Sequence, residues 1–194
     1  MALWQIKHRL TDAVLFARDC DSMRLCVEAA VDAGANLARA NLAGAYLARA
    51  NLARADLAGA NLAGANLVRA DLARANLARA NLARADLAGA DLAGANLVRA
   101  NLARANLAGA NLAGADLAGA KGIRDVLSIG PIGSRRDYLQ ALRTDDGIVI
   151  HTGCFSGPLA DFESAVAETH GDNEHGQHYR LAIALINAKL GGAA

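Results

Sequence analysis

The sequence predicts a mainly β fold: a solenoid over residues 35–119, an N-terminal cap of hairpin and short helix over residues 1–34, and a small α+β unit over residues 120–194. Three observations carry that expectation. From Ala35 to Gly119 the chain reads Ala-(Asn/Asp)-Leu-(Ala/Val)-(Arg/Gly) without a gap, 17 repeats in 85 residues. Ala and Leu make up 76 of the 194 residues while aromatic residues are 4%. A core of varied interlocking shapes is thereby excluded, and one small contact must be repeated many times. After Ala120 the repeat stops and ordinary variety returns.

The cap comes first. Leu3–Lys7 and Ala13–Phe16 read as two short strands around Leu10-Thr11-Asp12. Ser22 suits a helix N-cap, and Met23 to Ala33 is a short helix with Leu25, Val27, Ala30 and Val31 available to bury. Gly34 ends it. Trp4 and Phe16 are the expected anchors of this cap, and Cys20 and Cys26 read as ordinary small residues.

The repeat block is not a helix, although Ala, Leu and Arg are strong helix formers. Five residues advance a helix by about 500°, so successive leucines step by about 140° and form no stripe. Asn or Asp at nearly every second place also competes with helical backbone bonding; Tyr46 is the exception. Each Ala-Asn-Leu reads instead as a short extended piece, with Ala and Leu on one side and Asn or Asp on the other. The fourth and fifth residues turn a corner, which the glycines at many fifth places suit. Corners in one direction coil the chain, each coil bonding to its neighbours about 4.8 Å above and below. The 49 Ala and Leu at the first, third and fourth places are then inward-facing positions.

This unbroken Ala-(Asn/Asp)-Leu-x-x pattern closely resembles the pentapeptide-repeat proteins, over 85 of 194 residues. It is more regular than in most members, which mix Phe with Leu at the central place. The resemblance implies a right-handed quadrilateral β-helix with four repeats, or twenty residues, per coil. On such a coil Leu37, Leu57, Leu77, Leu97 and Leu117 form one structural column. Arg69, Arg74, Arg79 and Arg84 occupy the fifth place on all four sides of one coil, an interaction belt, with Arg49, Arg54, Arg99 and Arg104 stacked on it. Nine Arg against five Asp make the block +4, while the remainder is −3 and the chain +1.

The leading functional expectation is a non-enzymatic scaffold or protein-interaction protein with an unidentified protein partner and no cofactor. The flat, nearly uncharged late faces at Gly89, Gly94, Gly109, Gly114 and Gly119 suit a second copy, and homodimers are common among the proteins it resembles. The resemblance also implies a second reading, DNA-mimic-like binding of DNA gyrase with inhibition or drug protection. Mimicry needs a strongly acidic face, and this block is mildly basic. A basic belt points toward nucleic acid or an acidic protein, yet Tyr46 is the block's one aromatic for stacking a base, so nucleic acid is not expected. Ice binding would want arrays of Thr, which the block lacks.

Compartment follows from what the chain does not carry. No apolar run is long enough to span a membrane, and Met-Ala-Leu-Trp-Gln-Ile-Lys-His lacks a signal-peptide layout. Three cysteines are odd and few, against a disulfide framework. A bacterial, cytoplasmic protein is the expectation.

In the last segment, Val126–Ile129, Tyr138–Leu142 and Ile148–His151 look like strands, with a turn at Asp145-Asp146-Gly147. Pro158 starts a helix to about Thr169, and a second helix runs near Glu174 to Leu190. Asp146-Gly147-Ile148 and Gly153-Cys154-Phe155 resemble a region following the repeats in some phage- or prophage-encoded relatives, with no assigned activity. His151, Cys154, His175 and His178 are the candidate ligands of a metal-binding unit, since four such groups make a tetrahedral zinc site; His170 lies nearby, and the spacings fit no zinc signature. Cys154 with His151 is a candidate nucleophile pair without an orienting third group. Gly153–Gly157 is not a nucleophile elbow, its serine standing one place late. The plainer reading packs Cys154 and Phe155 under the helices.

Overall fold

The repeat 80–84 shows how the block holds together, because each of its five backbone N–H groups has a partner. Ala80 donates to Leu77 O at 2.9 Å, Asn81 to Ala60 O at 2.8 Å, Leu82 to Asn101 O at 2.8 Å and Arg84 to Ala103 O at 3.0 Å. The fourth-place amide, Ala83, is left to a side chain: it donates to Asn81 Oδ1 at 3.2 Å. The same pattern recurs along the block, from Ala38 on Asn36 Oδ1 at 2.8 Å to Ala118 on Asp116 Oδ1 at 3.0 Å. Asn or Asp stands at the second place because a short side-chain oxygen must reach that amide, an Asx turn.

Parallel bridges join residues twenty apart, from Asn41–Asn61 to Asn101–Lys121, so each coil takes four repeats. Only one residue per repeat bridges, so the extended pieces are shorter than three full strand residues. From Ala40 onward each first-place amide closes a four-residue turn onto the leucine carbonyl before it, as Ala50 does to Leu47 O at 3.0 Å. The turn requires φ > 0 at the fifth place, and every one complies: 64–67° at the glycines and 55–62° at the arginines.

The leucines from Leu37 to Leu112 are buried, and Leu117 is partly so. First-place alanines are buried through the middle coils. The expectation that the fourth-place residues also face inward is corrected. They lie in the turns, half-buried or exposed, because the corner lifts them off the coil interior.

The computed structural model describes residues 2–133, 137–145, 147–153 and 155–191, in two units, Met1–Gly122 and Ile123–Ala194. In the first unit, β1 (Ala2–Lys7) and β2 (Val14–Cys20) form an antiparallel hairpin with a register shift at Ile6/Lys7. Helix α1 (Met23–Asp32) follows, its first turn capped by Ser22 Oγ, which accepts from Leu25 N at 3.3 Å. Ile6, Cys26, Val27 and Ala30 are fully buried, whereas Trp4 and Phe16 are half-buried and Leu25 is exposed. Ile6, rather than either aromatic, is therefore the hairpin's fully buried large side chain. The cap meets the coil through backbone, Asn41 N to Lys7 O at 2.7 Å and Arg9 N to Arg39 O at 2.8 Å.

The second unit is an antiparallel meander, β3 (Ile123–Ile132), β4 (Asp137–Thr144), β5 (Gly147–Thr152) and β6 (Phe155–Pro158), ordered β3-β4-β5-β6. Helices α2 (Leu159–His170) and α3 (Glu174–Leu190) cover one face. Leu139, Ala141 and Ile150 from the sheet pack with Phe162 and Val166 of α2 and Ala182, Ile186 and Leu190 of α3. Phe155 lies 5.1 Å from the Phe162 ring, which meets Tyr179 edge-on at 5.6 Å. The stretch at Phe155, read from sequence as packing only, is itself an edge strand. No helix among the described residues is long and apolar enough to cross a membrane.

Candidate interaction surface

The twenty-residue period places Arg69, Arg74, Arg79 and Arg84 at four successive corners of one coil, all exposed. Their stems run along the corners: Arg69 Cγ lies 3.3 Å from where a Cβ on Gly89 would stand, and Arg74 Cγ 3.5 Å from that of Gly94. Between corners lie the second-place side chains. Along one side they form a ladder, Asn61 Nδ2 donating to Asn41 Oδ1 at 3.4 Å, Asn81 to Asn61 at 3.2 Å and Asn101 to Asn81 at 3.3 Å. On other sides Asn caps Asp, as Asn76 on Asp56 at 3.0 Å and Asn106 on Asp86 at 2.9 Å. Asn can accept at Oδ1 and donate at Nδ2, whereas Asp only accepts, so an all-Asn column can carry a continuous ladder and an Asp ends one.

The second unit disperses the candidate ligands. His151 is buried in β5, facing its cross-strand partner Ser156, whose Oγ lies 2.9 Å from His151 Nδ1. Burial holds its pKa below the ordinary imidazole value. His175 and His178 stand instead in the first turns of α3. There they line an open groove of about 710 Å³ with Ile129, Pro131, Ile132, Leu181 and Leu185. His175 Nδ1 is buried with no hydrogen-bond partner among the described residues, its ring 6.0 Å from that of His170. Cys154 lies outside the described residues. Among those described, no three His, Cys, Asp or Glu are grouped to hold a metal ion.

Two features escaped sequence reasoning. Ser156 as the partner of His151 depends on strand register, which spacing alone does not show. The pairing of Cys26 with its surroundings depends on helix docking: burial first, then the nearby Cys20, pushes its thiol pKa up, and Sγ reaches Trp4 O at 3.7 Å.

A family model described as pentapeptide repeats (8 copies) matches residues 35–72, 55–92, 65–102 and 85–121. Among solved structures, the chain is similar to HetL, a pentapeptide repeat protein involved in heterocyst differentiation regulation from the cyanobacterium Nostoc sp. strain PCC 7120. Identity is 46% over 42% of this chain and 39% of that one, with a TM-score of 0.41. A pentapeptide repeat protein of the Arabidopsis thaliana thylakoid lumen is 35% identical over 45% of this chain and 65% of its own, TM-score 0.39. Another from Nostoc PCC 7120 is 37% identical over 50% and 75%, TM-score 0.24. The chain thus spans less than two thirds of the first two. No curated protein matches it significantly.

Proposed function

The chain is a pentapeptide-repeat protein over residues 35–121, and from that premise we propose a non-enzymatic scaffold that binds a protein partner through the outer sides of a right-handed quadrilateral β-helix. One observation carries the reading. The coil's leucines are buried and its backbone is bonded coil to coil, so what varies between repeats lies at the second and fifth places and, in Val68 and Val98, at the fourth, all off the buried leucine columns at fixed spacing. Such a surface offers recognition by pattern. Mimicry of a DNA duplex would need an acidic face, and among the described residues Asp71–Asp91 is the only bridged pair of carboxylates.

The test is quantitative co-purification with the wild-type chain and with Leu77→Asp. Leu77 is fully buried, so the aspartate forces an unpaired charge into the coil and should unfold its neighbours. A partner retained by wild type and lost with Leu77→Asp supports the proposal; no protein enriched by the wild type would overturn it.

A further inference from the structure

We infer that one side of the coil docks a carboxylate-rich segment of a partner protein, a refinement that rests on the interaction reading above. The side is the one whose middle column is the asparagine ladder ending in Lys121, bridged in register with Asn101. Its later half is edged by Arg79 and Arg99 on one flank and by Arg84 and Arg104 on the other. Asp residues interrupt each of the other three columns: Asp56 and Asp116 in one, Asp86 in the next, Asp71 and Asp91 in the last. None occurs in this one. Five cations therefore surround a strip without a single acid. All five are exposed, and no ion pair among the described residues engages them.

Stacked coils hold Arg79 over Arg99 and Arg84 over Arg104 at a backbone spacing of about 4.8 Å, where unpaired like charges repel. A ligand that brings anions between them relieves that repulsion. Guanidinium forks bind carboxylates and phosphates in the same bidentate geometry, so the surroundings decide between a protein and a nucleic acid. The strip carries amides already engaged in ladder bonds and no aromatic ring on which a base would stack. The chain's pI of about 7.8 also lacks the strongly basic character of nucleic-acid-binding domains. An extended acidic segment fits: it needs neither stacking nor a groove, only a flat floor with cations on both edges.

The experiment uses the full chain and a fluorescent oligo-glutamate peptide, with single-stranded and duplex DNA probes alongside, read by anisotropy at low and raised salt. One quadruple variant is Arg79→Gln, Arg84→Gln, Arg99→Gln, Arg104→Gln. Its control, Arg49→Gln, Arg54→Gln, Arg69→Gln, Arg74→Gln, removes the same charge from other corners. Peptide affinity should fall at least about tenfold in the first and under about threefold in the control. Should the first variant fail to fold, Lys121→Glu carries the same test, with a loss of about threefold or more expected. Equal losses in both quadruple variants, no peptide binding at low salt, or tighter binding of either DNA than of the peptide would each overturn the inference. A partner protein recovered equally by wild type and by the first variant would overturn this docking side while leaving the scaffold reading standing.

Discussion

Glu28 accepts the Asn51 amide at its Oε1, 2.9 Å away, and so does for the first coil what a preceding coil does for later ones. Further along, the second-place amide donates to a first-place carbonyl one coil earlier, as Asp71 does to Ala50 O at 2.9 Å. The corresponding carbonyl for Asn51 is that of Ala30, which already accepts from Ala35 at 2.9 Å where α1 ends. Arg24 holds the Glu28 carboxylate in place, 3.1 Å from both oxygens. Removing the acceptor with Glu28→Ala should cost about 1.5 kcal/mol. Glu28→Gln keeps an oxygen for Asn51 and should lose clearly less. Chemical denaturation of the two variants measures this, and equal losses would show that the acceptor is not what matters.

The second place should be the most sensitive outward position. Asn81 Oδ1 accepts from Ala83 N at 3.2 Å and from Asn101 Nδ2 at 3.3 Å, while its own Nδ2 donates to Asn61. Asn81→Ala deletes all three contacts and leaves a turn amide without its partner, a loss of about 1–3 kcal/mol. Asn81→Asp keeps the acceptor and loses only the donor, so it should sit between wild type and alanine in a denaturant midpoint series. A ranking with Asp below Ala would contradict the Asx-turn account.

The fifth place poses a different demand, a left-handed backbone. Arg79 adopts φ 59°, a region that costs an ordinary L-residue roughly 1 kcal/mol and a β-branched one more. Arg79→Gly should therefore be neutral or stabilising, and Arg79→Val should destabilise by at least about 1 kcal/mol. Gly89→Ala should also destabilise, since its φ is 65° and its Cβ would stand 3.3 Å from Arg69 Cγ. Thermal melts of the three variants decide it; a Val variant as stable as Gly would remove the turn requirement.

Much of the coil was legible in the sequence because its physics is periodic. Leucine at every third place and Asn or Asp at nearly every second announce inside and outside directly, and Gly at eight fifth places marks the corner. What misled was alanine. At the first place it is small because the interior is tight; at the fourth it is merely a turn residue, and composition alone assigns both to the core. The ends depend on tertiary meetings instead. Nothing in Trp4 or Phe16 says that Ile6 takes the fully buried place in the hairpin, and nothing in Glu28 says that it reaches Asn51. Likewise His151 and His175 are equal as letters, and only strand register and helix docking send one against Ser156 and the other into a groove.

His151 makes the second unit's stability depend on pH. Its ring is buried in β5 beside Ser156 Oγ, and burial lowers its pKa in the folded state, whereas a histidine in the unfolded chain titrates at about 6.5. Between those two values the unfolded state binds more protons than the folded one. Stability is therefore complete above the unfolded value, declines as pH falls through the window and levels off below the folded pKa. His151→Asn keeps a polar group for Ser156 but cannot titrate, so its stability should fall less than that of wild type between about pH 7 and pH 5. The other four histidines are present in both proteins, so the difference between the two melting curves isolates this one ring. Parallel pH profiles for the two would mean that the ring is solvated and carries no linkage.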